Sequence, residues 1–106
     1  YIHIIDVVRA FIFAIKNFNK LKSNTYNLGL SSANLTKLML AKKIKKQFKE
    51  VKISIIRNRK DPDQRDYFVS NKKIEKKGFK PIVSLDEGIG ELLRVLRNDT
   101  KIINNY

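Results

Sequence analysis

The sequence contains no cysteine, which excludes disulfides and thiolate metal sites. It has a single histidine and no H-E-x-x-H pattern, so no metal site is expected. No apolar run approaches the roughly 20 residues that a membrane-crossing helix needs, and no membrane partner is expected. The apolar N-terminus is interrupted by Asp6 and Arg9 and does not read as a signal peptide. Together these absences point to a reducing, cytoplasmic setting. Acidic residues are also few: 10 Asp and Glu face 23 Lys and Arg, a formal net charge of +13.

What is present suits one folded unit. A chain of 106 residues is one domain or part of one, and 42% hydrophobic residues can build a modest core. The first residue is Tyr1, at the head of an apolar stretch, so the chain reads as a piece of a longer protein. The positive charge invites a nucleic-acid reading. However, 17 of the 23 basic residues are lysine, in a background rich in isoleucine and asparagine. That composition loads solvated faces with lysine, and no basic-aromatic alternation suggests a base-stacking platform. Nucleic acid is therefore not the expected partner.

Hydrophobic spacing predicts the elements. Residues 1–5 read as a short strand, and Asp6 as an N-cap. A helix follows from Val7 to Phe18, with Val7/Val8, Phe11/Ile12, Ile15 and Phe18 inward and Arg9, Lys16 and Asn17 outward. Residues 25–30 read as a strand ending at Gly29. Ser31, Ser32 and Asn34 offer caps for a helix over about residues 33–48, with Leu35, Leu38, Ala41, Ile44 or Lys45, and Phe48 inward. Its other faces carry lysines best explained by solvation. Val51–Ile56 alternates and is β-branched, hence a strand. Tyr67-Phe68-Val69 has the composition of a further short strand. Ser70 is placed to cap a short helix closed by Gly78. Ser84 with Glu87 forms a capping box for a last helix over about 85–97, burying Leu85, Ile89, Leu92, Leu93 and Leu96. The expected fold class is α+β or α/β: a small lobe of about four helices and three to four short strands. Residues 1–24 form a linking strand and helix, 25–97 the lobe, and 98–106 a frayed tail.

Between the third strand and the short helix, Arg57, Arg59 and Arg65 stand among Asp61, Asp63 and Asp66. Planar guanidinium groups this close together suit a phosphate or carboxylate, to which each can donate two parallel hydrogen bonds. Neutralisation by the neighbouring aspartates is the bland alternative.

Five segments carry a resemblance to a known family. Y-I-H-I-I-D-V-V-R-A resembles an R-D-Y-I-H-V-x-D-V-A element, and T-Y-N-L-G resembles a Y-N-[VL]-G strand end. S-x-N-L-T-K-L-M-L resembles the helix after it. R-K-D-P-D-Q-R-D-Y-F-V-S-N-K-K-I resembles an R-x-x-D-x-R-x-Y-x-x-[DS]-x-x-K segment. K-K-G-F-K-P-I-V-S-L-D-E-G-I resembles an L-G-[WF]-x-P-x-x-[ST]-L-x-E-G-[IL] ending. The order and spacing are those of the extended short-chain dehydrogenases/reductases, the NAD-dependent nucleotide-sugar epimerases and dehydratases. The resemblance spans nearly the whole chain and corresponds to the family's C-terminal, substrate-binding part. The family's Rossmann half is absent from this sequence.

The resemblance implies a nucleotide-sugar substrate, a dinucleotide (NAD or NADP) held by the missing N-terminal Rossmann half, and a homodimeric full-length enzyme. It also implies that this chain is inert alone. The family's G-x-x-G-x-x-G loop is absent, and no tyrosine has a lysine four residues on, so no catalytic residue is expected here. In the complete enzyme that lysine would lower the phenol pKa enough for it to take a hydroxyl proton. The implied substrate contacts are Arg59 first, then Arg65 and Arg57, on the pyrophosphate. Lys60-Asp61-Pro62 departs from the usual R-P-G-x-D form and leaves open which arginine reaches it. Asn27 and Tyr67 are further candidates, with a turn and core packing as their simpler readings. Asp6, Gly29, Ser84 and Glu87 are expected to be structural, and His3 a packed or surface residue. A small basic nucleic-acid-binding module and a non-catalytic interaction domain remain the alternatives.

Overall fold

The computed structural model describes residues 1–56 and 68–103, with side chains described through residue 97. The chain divides into two compact units, residues 1–34 with 68–88 and residues 35–67 with 89–106. All regular structure among the described residues is helical: α1 (Ile4–Lys16), α2 (Phe18–Leu21), a 3-10 turn (Ser31–Ala33), α3 (Lys37–Gln47), α4 (Lys72–Glu75) and α5 (Leu85–Ile103). The α+β expectation is therefore overturned: none of the described residues forms a strand.

The segments expected to be strands show why. A sheet exists only when backbone N–H and C=O groups find another backbone, and here side chains take that place. The same substitution occurs outside the expected strands, where the N–H groups of Ile82 and Val83 donate to the Asp6 carboxylate at 3.0 and 2.9 Å. Val69 gives its N–H to Asn34 Oδ1 and receives Asn34 Nδ2 on its carbonyl, at 3.2 and 3.0 Å. The carbonyls of Thr25 and Ser70 accept from Lys73 Nζ and Asn27 Nδ2. Residues 1–3 contribute one isolated backbone bond, from Leu30 N–H to the Tyr1 carbonyl at 2.9 Å. In the segment 25–30, expected as a strand, Tyr26 and Leu28 both pack on the core, but no ladder accompanies them.

In the first unit, His3 caps α1: its Nδ1 accepts from the N–H of Ile5 at 3.2 Å. Asp6, expected as the cap, sits one turn in and is fully buried. The helix ends at Asn17, whose Nδ2 donates back to the carbonyl of Phe13 at 2.9 Å. The face it buries is Asp6–Ala10, continued by the partly buried Phe13. The expected apolar stripe is instead mostly open: Val8, Phe11, Ile12, Ile15 and Phe18 are all exposed. Ala10 packs with Ile74 and Phe79, and Phe13, Tyr26 and Leu28 close around them. The rings of Phe13 and Phe79 lie 5.6 Å apart, tilted by 51°. Asn71, not Ser70, occupies the cap position of α4, and Gly78 takes φ +103°, a turn conformation that side chains resist.

The Ser84–Glu87 capping box forms as the sequence predicts. Ser84 Oγ accepts from Glu87 N–H at 3.2 Å, and Glu87 Oε2 accepts from Ser84 N–H at 2.7 Å. The Ser84 hydroxyl, which donates to Glu87 Oε2 at 2.7 Å, and the Ser84 N–H hold the exposed Glu87 carboxyl below its ordinary pKa. α5 runs on to Ile103, beyond the expected end near residue 97, so the tail expected to fray begins as helix.

In the second unit, Thr36 caps α3 by accepting from Met39 N–H at 3.2 Å, where Ser31, Ser32 and Asn34 were expected to serve. No α3 residue is fully buried, though Ala41 and Ile44 are half-buried. Of the stripe expected on the last helix, Ile89 is buried, while Leu92 and Leu96 are exposed. Arg97 lies over the ring of Phe48, 4.9 Å from its centroid.

Candidate functional site

Two polar constellations in the first unit draw on the segments that carry the family resemblance. The first centres on Asp6. Its carboxylate accepts two backbone N–H groups from residues 82–83 and a hydrogen bond of 2.6 Å from Arg9, so every bond it makes is charge-assisted. Burial alone pushes this carboxyl up. The bonds from Ile82, Val83 and Arg9 outweigh that, and the group ends below the ordinary aspartate range. Asp6 thus pins the start of α1 to the segment between Pro81 and Ser84, and its expected capping role belongs to His3. Arg9 also donates to the carbonyl of Lys80 at 3.4 Å and lies over Phe79, 5.9 Å from its ring centre.

The second constellation joins residues 25–34 to 68–75. Asn71 is buried and donates to Ser31 Oγ at 3.3 Å, and the Ser31 hydroxyl in turn donates to Glu75 Oε1 at 2.5 Å. Asn71 Oδ1 and the Tyr26 hydroxyl are buried without a hydrogen-bond partner among the described residues. Gly29 lies against this amide: a Cβ there would come within 3.1 Å of Asn71 Oδ1 and 3.2 Å of Nδ2. Asn71 is held by Ser31 and cannot step aside freely. Gly29→Ala is accordingly expected to destabilise the protein by about 1–2 kcal/mol, read as a lowered midpoint in urea. Gly29 therefore has a packing reason that its reading as a strand end did not contain.

The sequence candidates divide cleanly. Asn27 is exposed and holds the Ser70 carbonyl at 3.3 Å, beside the Asn71 cluster. Arg57, Arg59, Arg65 and Tyr67 lie outside the described residues. Sequence reasoning missed Asn71 altogether and read Asn34 only as a cap. An asparagine matches a backbone peptide group donor for acceptor, but nothing local announces a partner 35 residues away.

The four glycines do not make a phosphate cradle. Gly88 and Gly90 lie inside α5, where added Cβ atoms would meet His3 and Gln47 respectively. A dinucleotide loop needs its glycines at a strand-to-helix turn, so the residues present do not fit NAD or NADP. Among the described residues no three His, Asp or Glu side chains gather as metal ligands, and no helix is long and apolar enough to cross a membrane. The chain matches no protein-family model.

Proposed function

We propose that this chain is the substrate-binding portion of a cytoplasmic NAD(P)-dependent nucleotide-sugar epimerase, dehydratase or 4-ketoreductase. The observation that carries the reading is the ordered set of five motifs from Tyr1 to Ile89. It is supported by where those motifs meet. The first supplies Asp6 and the last supplies the N–H groups it binds. The second supplies Asn27 and Gly29, which lie against Ser70 and Asn71 of the fourth. Asp6, Asn27, Gly29 and Ser70, which match the family's pattern, thus take part in tying distant segments together.

On this reading the chain contributes binding energy and orientation, not chemistry. The dinucleotide, the tyrosine-lysine pair and the homodimer contacts belong to the Rossmann half. Arg59, supported by Arg65 and Arg57, binds the pyrophosphate of the nucleotide sugar, with Asn27 and Tyr67 nearer the sugar. In the full-length enzyme, Arg59→Ala is expected to weaken nucleotide-sugar affinity about 10- to 100-fold, the loss of one charge-assisted bidentate contact. Dinucleotide affinity should be unchanged. Isothermal titration with each ligand separates the two, and equal loss of both would make the loop structural. A full coding sequence without a glycine-rich loop and a Y-x-x-x-K pair would overturn the reading outright.

A further inference from the structure

We propose that the groove between the C-terminal half of α1 and residues 78–82 binds a small phosphate monoester with a flat apolar body. It has a volume of about 430 Å³, within the range of ligand clefts. Its rim carries Arg9, Lys16 and Lys80, and no carboxylate lines it. The three cations are not equivalent. Arg9 is neutralised by the buried Asp6, whereas Lys16 and Lys80 pair with no carboxylate among the described residues. That leaves two unmatched positive charges at one opening. A phosphate monoester near neutral pH carries about −1.5 to −2 and matches them, where a carboxylate matches only one.

The floor selects for an apolar body. Phe79 is buried beneath it against Phe13, while Ile12 and Ile82 are 47% and 66% exposed. A planar ring laid on Ile12 and Ile82 removes apolar surface from water, and Lys16 and Lys80 line the same groove to meet its phosphate. Arg9 holds the frame, since it donates both to Asp6 and to the carbonyl of Lys80. The negative end of the α1 dipole lies at Lys16 and opposes an anion there. Asn17 blunts it by donating its side chain to the Phe13 carbonyl and its backbone N–H to those of Phe13 and Ile15.

The described residues that line this site include none of the loop arginines, and it does not depend on the nucleotide-sugar reading. The test is a titration of the whole chain, followed by amide shifts in ¹H–¹⁵N spectra, with phenyl phosphate, inorganic phosphate and phenol. Phenyl phosphate is expected to bind with a dissociation constant of about 1 mM or below, at least about fivefold tighter than either simpler probe. Shifts should centre on Lys16, Asn17, Phe79 and Lys80. Lys16→Gln and Lys80→Gln, both exposed positions, should each weaken binding about fivefold or more, and Lys42→Gln on α3 should leave it unchanged. Inorganic phosphate binding as tightly as phenyl phosphate would remove the apolar floor from the site. Phenol binding as tightly would remove the lysines. Shifts spread along α3, an equal effect of Lys42→Gln, or no saturation would overturn the proposal entirely.

Discussion

Replacing Asp6 with alanine is expected to cost about 3–5 kcal/mol, the largest effect expected of a polar substitution among the described residues. The carboxylate is fully buried, and its loss strands the N–H groups of Ile82 and Val83 and removes the partner of Arg9. For a unit of this size about 1 kcal/mol corresponds to about 4–8 °C, so the melting temperature should fall by roughly 15 °C or more. Asp6→Asn separates shape from charge. It fills the same space and can accept one of the two N–H groups, but its amide nitrogen faces a donor, so part of the loss should remain. Circular dichroism melts of the three proteins order them as wild type, Asn, Ala. An Ala variant as stable as the parent would mean that residues 82–83 are held by other contacts.

The same group sets an acid limit. Its folded pKa lies below the unfolded value of 3.8, so the unfolded state takes up protons first as pH falls. The stabilisation is complete above that unfolded value and drains away as pH drops through the folded pKa. Urea midpoints measured downward from pH 6 should hold level until about pH 4 and then decline. Asp6→Asn should lose this part of the slope.

Phe79→Ala is expected to cost about 3–5 kcal/mol for a different reason. Only 3% of Phe79 is exposed, and its ring joins Phe13, Ala10 and Ile74 into the core of the first unit. Truncation loses the transfer energy of the ring and leaves a space that the short α4 cannot collapse to fill. Total stabilities of small domains run to about 5–15 kcal/mol, so the loss is a large share of the total and should lower the urea midpoint markedly. Phe79→Leu keeps most of the volume and should recover about half the loss. If urea melts of the Ala and Leu variants coincide, the ring packs more loosely than its burial implies.

Local signals in the sequence were read well and non-local ones were not. The capping box at Ser84 and Glu87 lies within one helical turn and forms as expected. The main helical segments were found because 3.6-residue spacing is itself local, although α5 extends beyond its expected end. The side on which α1 is buried was assigned wrongly. Apolar spacing marks the stripe from Val8 to Phe18, yet the buried face is the one holding Asp6 and Ala10, fixed by residues 82–83. The expected strand at 67–69 failed for a related reason. Its composition describes an extended chain, but whether it pairs depends on partners, and Asn34 holds both the N–H and the carbonyl of Val69. Of the candidate site, Gly29 and Asn27 fall beside Asn71, and the arginine loop lies outside the described residues.

The Asn34–Val69 pair has a consequence for how this chain can change. The first unit is built from residues 1–34 and 68–88, so residues 35–67 interrupt it. Asn34 grips both the N–H and the carbonyl of Val69, which makes the two ends of that interruption neighbours. Once its ends are fastened, a loop's length matters little: doubling it adds only about 0.6 kcal/mol of closure entropy. The closure of the first unit is thus set by this contact more than by the length of the chain between residues 35 and 67. For the core of the first unit, substitutions at Asn34 and Val69 are therefore expected to cost more than changes in the length of the segment between them.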